Sequence, residues 1–199
     1  MASPRRVGTE TSKTRDILLN CVERLMLETG YAGVSYRAIA ARANVTPGLV
    51  QYYFPTLDDV FIAAIRRRSQ QNLDKLAEGL RARPDQPLHV LWEYSSDESA
   101  AALTTEFLAL GNHRKSIRSE ITEWTERVRR LQLQALGEAS RGKSPMLGEL
   151  STETLLFLVT GIPKLVRLEE GVGIAATHAG VVKEFEEFLD SVEPEGGRA

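Results

Sequence analysis

Apolar residues recur at helical spacing over most of the chain, while Gly and Pro gather at boundaries and alternating β-branched runs are few. Leu18, Cys21, Val22 and Leu25 share one face and predict a first helix from about Ser12 to Glu28, stopped at Gly30. Ser35 offers a hydroxyl to cap a short second helix that carries Ile39 and Ala40 inward. Asn44 stands at the following corner, where its tolerance of the left-handed backbone lets it replace the usual glycine. Thr46 caps a third helix with Pro47 at its first position, and Val45, Val50 and Phe54 point inward. Pro55 ends that helix. Thr56 caps a fourth, with Asp58 and Asp59 in its first turn, and this helix reaches about Arg83 before Pro84 and Pro87.

Five further helices are predicted at about Leu88–Tyr94, Glu98–Asn112, Ile117–Ala139, Thr152–Glu169 and Ala175–Val192, with loops at Ser140–Gly148 and Gly171–Gly173. Gly161 and Pro163 predict a kink in the eighth helix. The expected fold class is all-α, without internal repeats.

The chain has 199 residues, 42% of them hydrophobic and 26% charged, enough apolar content for a true core. No apolar run approaches the roughly 20 residues that span a bilayer, and MASPRRVGTE lacks the apolar centre of a signal peptide, so the expected location is cytoplasmic with no membrane partner. Cys21 is the single cysteine, which rules out an internal disulfide, and its spacing marks it as a buried, inert thiol. His89, His113 and His178 fall on separate predicted helices without paired ligand spacing, so neither a metal nor another cofactor is expected. The nucleophile elbow, the P-loop and the HExxH motif are absent, which leaves an enzymatic reading nothing to build on.

Charge is uneven. The chain carries a net −2, yet residues 1–55 hold seven Arg or Lys against four acids, a net of +3, leaving −5 for the rest. A basic head on an acidic body points to an anionic partner for the head. Two short helices joined by a tight turn form the arrangement that places a helix in the DNA major groove. With Val45, Val50 and Phe54 inward, Pro47, Gly48, Leu49, Gln51 and Tyr52 lie on or beside the opposite face. Pro47 and Gly48 keep that face slim. Gln51 can pair bidentately with adenine, Leu49 or Pro47 can pack on a thymine methyl, and Tyr53 can donate its hydroxyl to a phosphate.

The stretch GYAGVSYRAIAARANVTPGLVQYYFPTLDDVF resembles the N-terminal domain of the tetracycline-repressor (TetR) family of bacterial transcription regulators, and the likeness covers residues 11–60. It implies a DNA-binding domain over residues 1–56 and a helical ligand-binding and dimerisation domain over 57–199, entered through the long fourth helix. The DNA-contacting positions it implies are Ser35, Arg37, Thr46, Pro47, Gly48, Leu49, Gln51, Tyr52 and Tyr53. Many members have tyrosine where this chain has Gln51, which shifts the base read, and lysine where it has Leu57, which removes a phosphate contact. No Arg or Lys occurs between Ala43 and Ile65, so electrostatic attraction must come from Arg5, Arg6, Lys13, Arg15, Arg37, Arg42 and helix N-termini. Arg5 and Arg6 are expected on a flexible arm that reaches phosphates or a minor groove.

The resemblance further implies a pocket for a small apolar or planar effector. Its expected lining is Trp92, Tyr94, Leu103, Thr104, Phe107, Asn112, His113, Ile121, Trp124 and Phe157. The last two helices carry apolar stripes that the resemblance assigns to a homodimer interface, with Leu158, Ile162, Val166, Val181, Phe185, Phe188 and Leu189 as contacts. The implied function is a ligand-responsive regulator, by family default a repressor, whose dimer binds a near-palindromic operator. The segment Gly111–Arg118 is expected against the head. A helical adaptor that reuses the hairpin to bind protein remains the alternative on sequence alone.

Overall fold

The computed structural model describes residues 4–139 and 150–194, with side chains for all of these except 4–12 and 98–101. The connector expected at Ser140–Gly148 lies outside the described residues. Among the described residues the chain forms nine α-helices and one 3-10 turn at Tyr31–Gly33, with no strand: α1 Pro4–Thr29, α2 Tyr36–Ala43, α3 Pro47–Tyr53, α4 Leu57–Ala82, α5 Pro87–Ser96, α6 Glu98–His113, α7 Lys115–Ala139, α8 Thr152–Glu170 and α9 His178–Val192.

Two boundaries differ from the sequence expectation. α1 begins at Pro4 and not near Ser12, so the backbone of Arg5 and Arg6 is helical where a flexible arm was expected. Pro4 occupies the first helical position, where its missing N–H costs nothing, and Arg and Glu are good helix formers. The side chains of Arg5 and Arg6 lie outside the described ones. α9 begins at His178 and not at Ala175, because the chain turns through Gly173, whose φ of 86° is open to glycine and costly for other residues. α8 is assigned continuously through Gly161 and Pro163.

The chain divides into two compact units. The first comprises Met1–Gln70 and Leu103–Trp124; the second comprises Gln71–Ala102 and Thr125–Ala199. α1 packs on α2, and α2 on α3. In the first unit Leu18, Leu19, Val22, Met26, Ile39, Val50, Phe54, Phe61 and Ile65 are almost completely buried, as are Leu103 and Leu110 from α6 and Ile117 from α7. Hydrophobic burial of this kind contributes about 25 cal/mol per Å² and is the main force holding three short helices together.

Three polar ties fasten residues 103–124 to the N-terminal helices within that unit. Glu106 accepts the Tyr31 backbone N–H at 2.8 Å. The Arg66 guanidinium donates twice to Glu120, at 2.8 and 2.7 Å, and the Trp124 indole N–H donates to the same carboxylate at 2.8 Å. Asp58 accepts from Arg114 and, at 2.6 Å, from the Ser116 hydroxyl. These bonds hold the Glu120 and Asp58 carboxyls below their ordinary pKa values; Arg66 is the main cause for Glu120, and Ser116 followed by Arg114 for Asp58.

In the second unit α5 packs against α8 and α8 against α9, around a core of Leu76, Leu88, Leu91, Trp92, Leu156, Val159 and Leu189. The start of α5 is held by Glu193, a buried carboxylate that accepts the backbone N–H of Leu88 at 2.9 Å and of His89 at 3.1 Å. It thereby satisfies donors that every helix N-terminus leaves free.

Candidate nucleic-acid interface

Local chemistry fixes the two short helices. The Ser35 hydroxyl accepts the Ala38 backbone N–H at 3.2 Å and caps α2. α2 ends at Asn44, whose φ of 54° and ψ of 48° are left-handed, and Val45 N–H closes the turn on the Ala40 carbonyl at 3.0 Å. This pairing satisfies a carbonyl at the helix end and redirects the chain sharply. The Thr46 hydroxyl then accepts Leu49 N–H at 3.3 Å, with Pro47 in the first position of α3.

The far end of α3 is anchored as firmly. Val50 and Phe54 are buried, and the Tyr36 hydroxyl donates to the Phe54 carbonyl at 2.9 Å, tying α2 to the end of α3. Thr56 and Asp59 form a reciprocal cap at the start of α4. The Asp59 carboxylate accepts the Thr56 backbone N–H at 2.9 Å and its hydroxyl at 2.7 Å, while Thr56 Oγ1 accepts Asp59 N–H at 3.1 Å.

What remains on the outside of α3 is the polar and aromatic set read from the sequence. Thr46, Pro47, Gly48 and Gln51 are exposed, Tyr52 is 77% exposed, and Leu49 and Tyr53 are half-buried. The Tyr52 and Tyr53 rings meet edge to face with centroids 5.5 Å apart. A Cβ added at Gly48 would meet no atom within 4 Å, so no internal contact requires glycine there. Ser35 and Arg37 are exposed on α2.

The expected cations are not equivalent. Arg42 is engaged by Glu28 at 2.5 Å. Arg15 lies with its guanidinium 5.3 Å from the Phe54 ring centroid, and Lys13 is exposed. Leu57 is half-buried at the first position of α4. The Gly111–Arg118 segment does bond to the start of α4, through Arg114 and Ser116 to Asp58. Sequence reading missed the companion ties of Glu106 to Tyr31 and of Arg66 to Glu120. Both join residues more than 50 positions apart, and no local pattern marks such pairs.

The ten residues expected to line an effector pocket divide between the units. Leu103, Phe107 and Trp124 are buried in the first, Ile121 is half-buried, and Thr104, Asn112 and His113 are exposed. Trp92, Tyr94 and Phe157 belong to the second. Trp92 is buried with its ring 4.9 Å from Phe185 and its N–H on Glu186 at 3.1 Å; Tyr94 is half-buried; Phe157 is 70% exposed. Of the expected dimer contacts, Leu158, Ile162, Val166, Phe185 and Phe188 are half-buried, Val181 is exposed, and Leu189 is wholly buried beneath them. The same two helices and their connection also expose Leu165, Leu168, Val172 and Ile174. Cys21 is buried, and burial pushes its thiol up, against the pull of Arg42 and Arg24. Among the described residues no group of three or more His, Cys, Asp or Glu is placed to hold a metal, and no helix is long and apolar enough to cross a membrane.

Residues 19–64, which contain α2, α3 and the turn between them, match the sequence profile of the bacterial regulatory proteins of the tetR family. The HTH-type transcriptional repressor BepR of Brucella suis biovar 1 is 30% identical over 87 residues; the match covers 44% of this chain and 42% of that repressor's length. Likeness of fold extends further. A transcriptional regulator from Saccharomonospora viridis, solved in complex with choline, superposes with a TM-score of 0.72 at 14% identity, over 90% of this chain and 96% of that one. A TetR transcription regulator from Haloarcula marismortui superposes with a TM-score of 0.71 at 15% identity, over 89% of this chain and 96% of that one. A capped helix pair turned at Asn44, an outward face running from Thr46 to Tyr52 and a matching profile over residues 19–64 show that this N-terminal segment is similar to the DNA-binding domain of the tetR family of bacterial regulatory proteins, while the chain spans less than half the length of the curated repressor it matches.

Proposed function

We propose that the chain is a ligand-responsive, DNA-binding transcriptional regulator of the cytoplasm, a repressor that binds a near-palindromic operator as a homodimer and is released by a small apolar molecule. The carrying observation is the outward face of α3. Thr46, Pro47, Gly48, Gln51 and Tyr52 are exposed on a helix fixed at both ends by caps and by the Tyr36 to Phe54 bond. A short helix so anchored, with its polar set turned to solvent, suits insertion into a major groove. Gln51 reads adenine through its paired donor and acceptor, Leu49 or Pro47 meets a thymine methyl, and Ser35, Arg37 and Tyr53 supply backbone contacts that set the register.

The dimer reading is supported by α8 and α9, where Phe157, Leu165, Leu168 and Val181 stand exposed and Ile162, Phe185 and Phe188 are half-buried. Contiguous apolar exposure of this kind is what a two-fold partner covers. Two recognition helices then address half-sites about one helical turn apart, roughly 34 Å. An effector releases DNA only by binding better to a form whose heads do not fit that spacing. One regulator of the same fold was solved with choline, which supports a small-molecule partner here.

The test is fluorescence anisotropy of the purified protein against tiled double-stranded DNA from around its own gene, at two salt concentrations, beside Gln51→Ala. Tight binding to one near-palindromic tile is expected, weakened in the variant by about 1–3 kcal/mol per half-site. Equal, weak binding to every tile by both proteins would exclude sequence-specific recognition.

A further inference from the structure

α8 is apolar on two sides. Leu155, Leu156, Val159 and Pro163 are buried within the second unit, yet on the opposite side of the same helix Phe157 is 70% exposed and Leu165 and Leu168 are each 56% exposed. A helix with apolar residues all round ordinarily lies wholly within protein, so the outer side of α8 is incomplete in a single chain. Phe157, Gly161, Lys164 and Leu168 follow one another at helical spacing along that side. A Cβ added at Gly161 would meet only the Phe157 ring, at 3.9 and 4.0 Å, so no packing inside the chain demands glycine there. The missing side chain leaves room for a second backbone to come close.

Lys164 stands in the middle of this stripe. The residue is exposed, and among the described residues it pairs with no carboxylate. Partial desolvation of its ammonium, and then the charge of nearby Arg129 of α7, hold its pKa below the ordinary lysine value. Its own chain therefore surrounds it with apolar groups and a like charge. α9 carries the opposite charge in the same arrangement: Val181, Glu184 and Phe188 stand at i, i+3 and i+7, as do Gly161, Lys164 and Leu168 on α8. Glu184 is exposed and, among the described residues, pairs with no cation, whereas its neighbours Glu186, Glu187 and Asp190 are engaged by Trp92, Lys183 and His89.

We propose that Lys164 and Glu184 form an ion pair between two copies of this chain, Lys164 of each copy meeting Glu184 of the other. The pair presupposes the homodimer proposed above and names the groups that fix its register. A two-fold interface makes each such contact twice. Apolar neighbours on both helices keep water and salt from the two charges, which makes their attraction stronger than that of an open surface pair. In any register that leaves Lys164 or Glu184 covered but unmatched, a desolvated charge opposes pairing, so the same two residues select against misaligned or foreign partners.

The experiment measures self-association of the full chain by sedimentation velocity over a concentration series, for the wild type, for Lys164→Glu, for Glu184→Lys, and for these two variants mixed in equal amounts. Both side chains are exposed, so each variant is expected to fold, which circular dichroism checks. Each variant alone sets like charges against one another at both contacts, and its self-association should weaken by about tenfold or more. The mixture restores opposite charges at both contacts, so dimers should return at close to the wild-type concentration. Recovery on mixing requires the pair to lie between copies. Failure of the mixture to recover, with rescue only when both changes share one chain, places the pair within a single chain and overturns the proposal. Variants that dimerise as the wild type does overturn it while leaving the homodimer standing, whereas a wild-type chain that stays monomeric removes both.

Discussion

Gly48 sets stability against recognition. It lies in the first turn of α3, and a Cβ there meets nothing within 4 Å. Replacing glycine by alanine at a compatible helical position stabilises by about 0.5–1 kcal/mol, chiefly by restricting the unfolded chain. With a urea slope of about 2 kcal/mol/M, Gly48→Ala should raise the unfolding midpoint by about 0.25–0.5 M, read by circular dichroism. In the proposed complex with DNA the same methyl would stand between the helix backbone and the base edges. A loss of about 1 kcal/mol at each of two half-sites sums to about 2 kcal/mol, or about 30-fold in operator affinity by anisotropy. The expected pattern is a more stable protein that binds DNA worse. A stabilised variant with undiminished affinity would show that Gly48 faces no DNA; a destabilised one would show that the position is not open.

Val181→Glu, at an exposed position of α9, should yield monomers in sedimentation velocity if this face pairs two chains, and a surviving dimer would remove α9 from the interface. Deleting residues 1–10 should weaken operator binding and flatten its dependence on log salt by about 0.9 for each phosphate no longer neutralised; an unchanged slope would free Arg5 and Arg6 of any role. In the second unit, His89 meets Glu193 and Asp190 at 3.1 and 3.0 Å. Burial works against its charge, but the two hydrogen-bonded carboxylates prevail and raise its pKa above the ordinary 6.5. A raised folded-state pKa stabilises fully below the unfolded value and is lost as pH rises through the folded one. Urea midpoints should therefore fall from pH 6 to pH 8.5, and His89→Gln should reduce that fall; equal falls in both proteins would refute the assignment.

The parts legible in sequence are those that local chemistry decides. Ser35, Asn44, Thr46 and Pro47 each act within four residues of themselves, and each stands in the structure as its type requires. Core positions such as Leu18, Ile39, Val50 and Phe54 follow from helical spacing alone. The start of α1 was hidden because residues 4–11 carry no apolar stripe and include Val7, Gly8, Thr9 and Thr11, which are weak helix formers. The bonds of Glu106, Glu120 and Arg114 were hidden for another reason: each partner is surface-like in its own segment, and only the tertiary fold brings the two together. The pairing of Arg42 with Glu28 was hidden in the same way.

The first unit is assembled from two separate stretches of chain, and this governs how the protein can be recombined. A chimaera that joins residues 1–56 to the body of another regulator would carry the recognition helix but leave behind Asp58, Arg66, Glu106, Glu120 and Arg114, the groups that brace it. The smallest interchangeable cassette is therefore not a prefix of the sequence. It is residues 1–70 together with 103–124, and substitutions in this internal stretch bear on the head as directly as substitutions near the N-terminus.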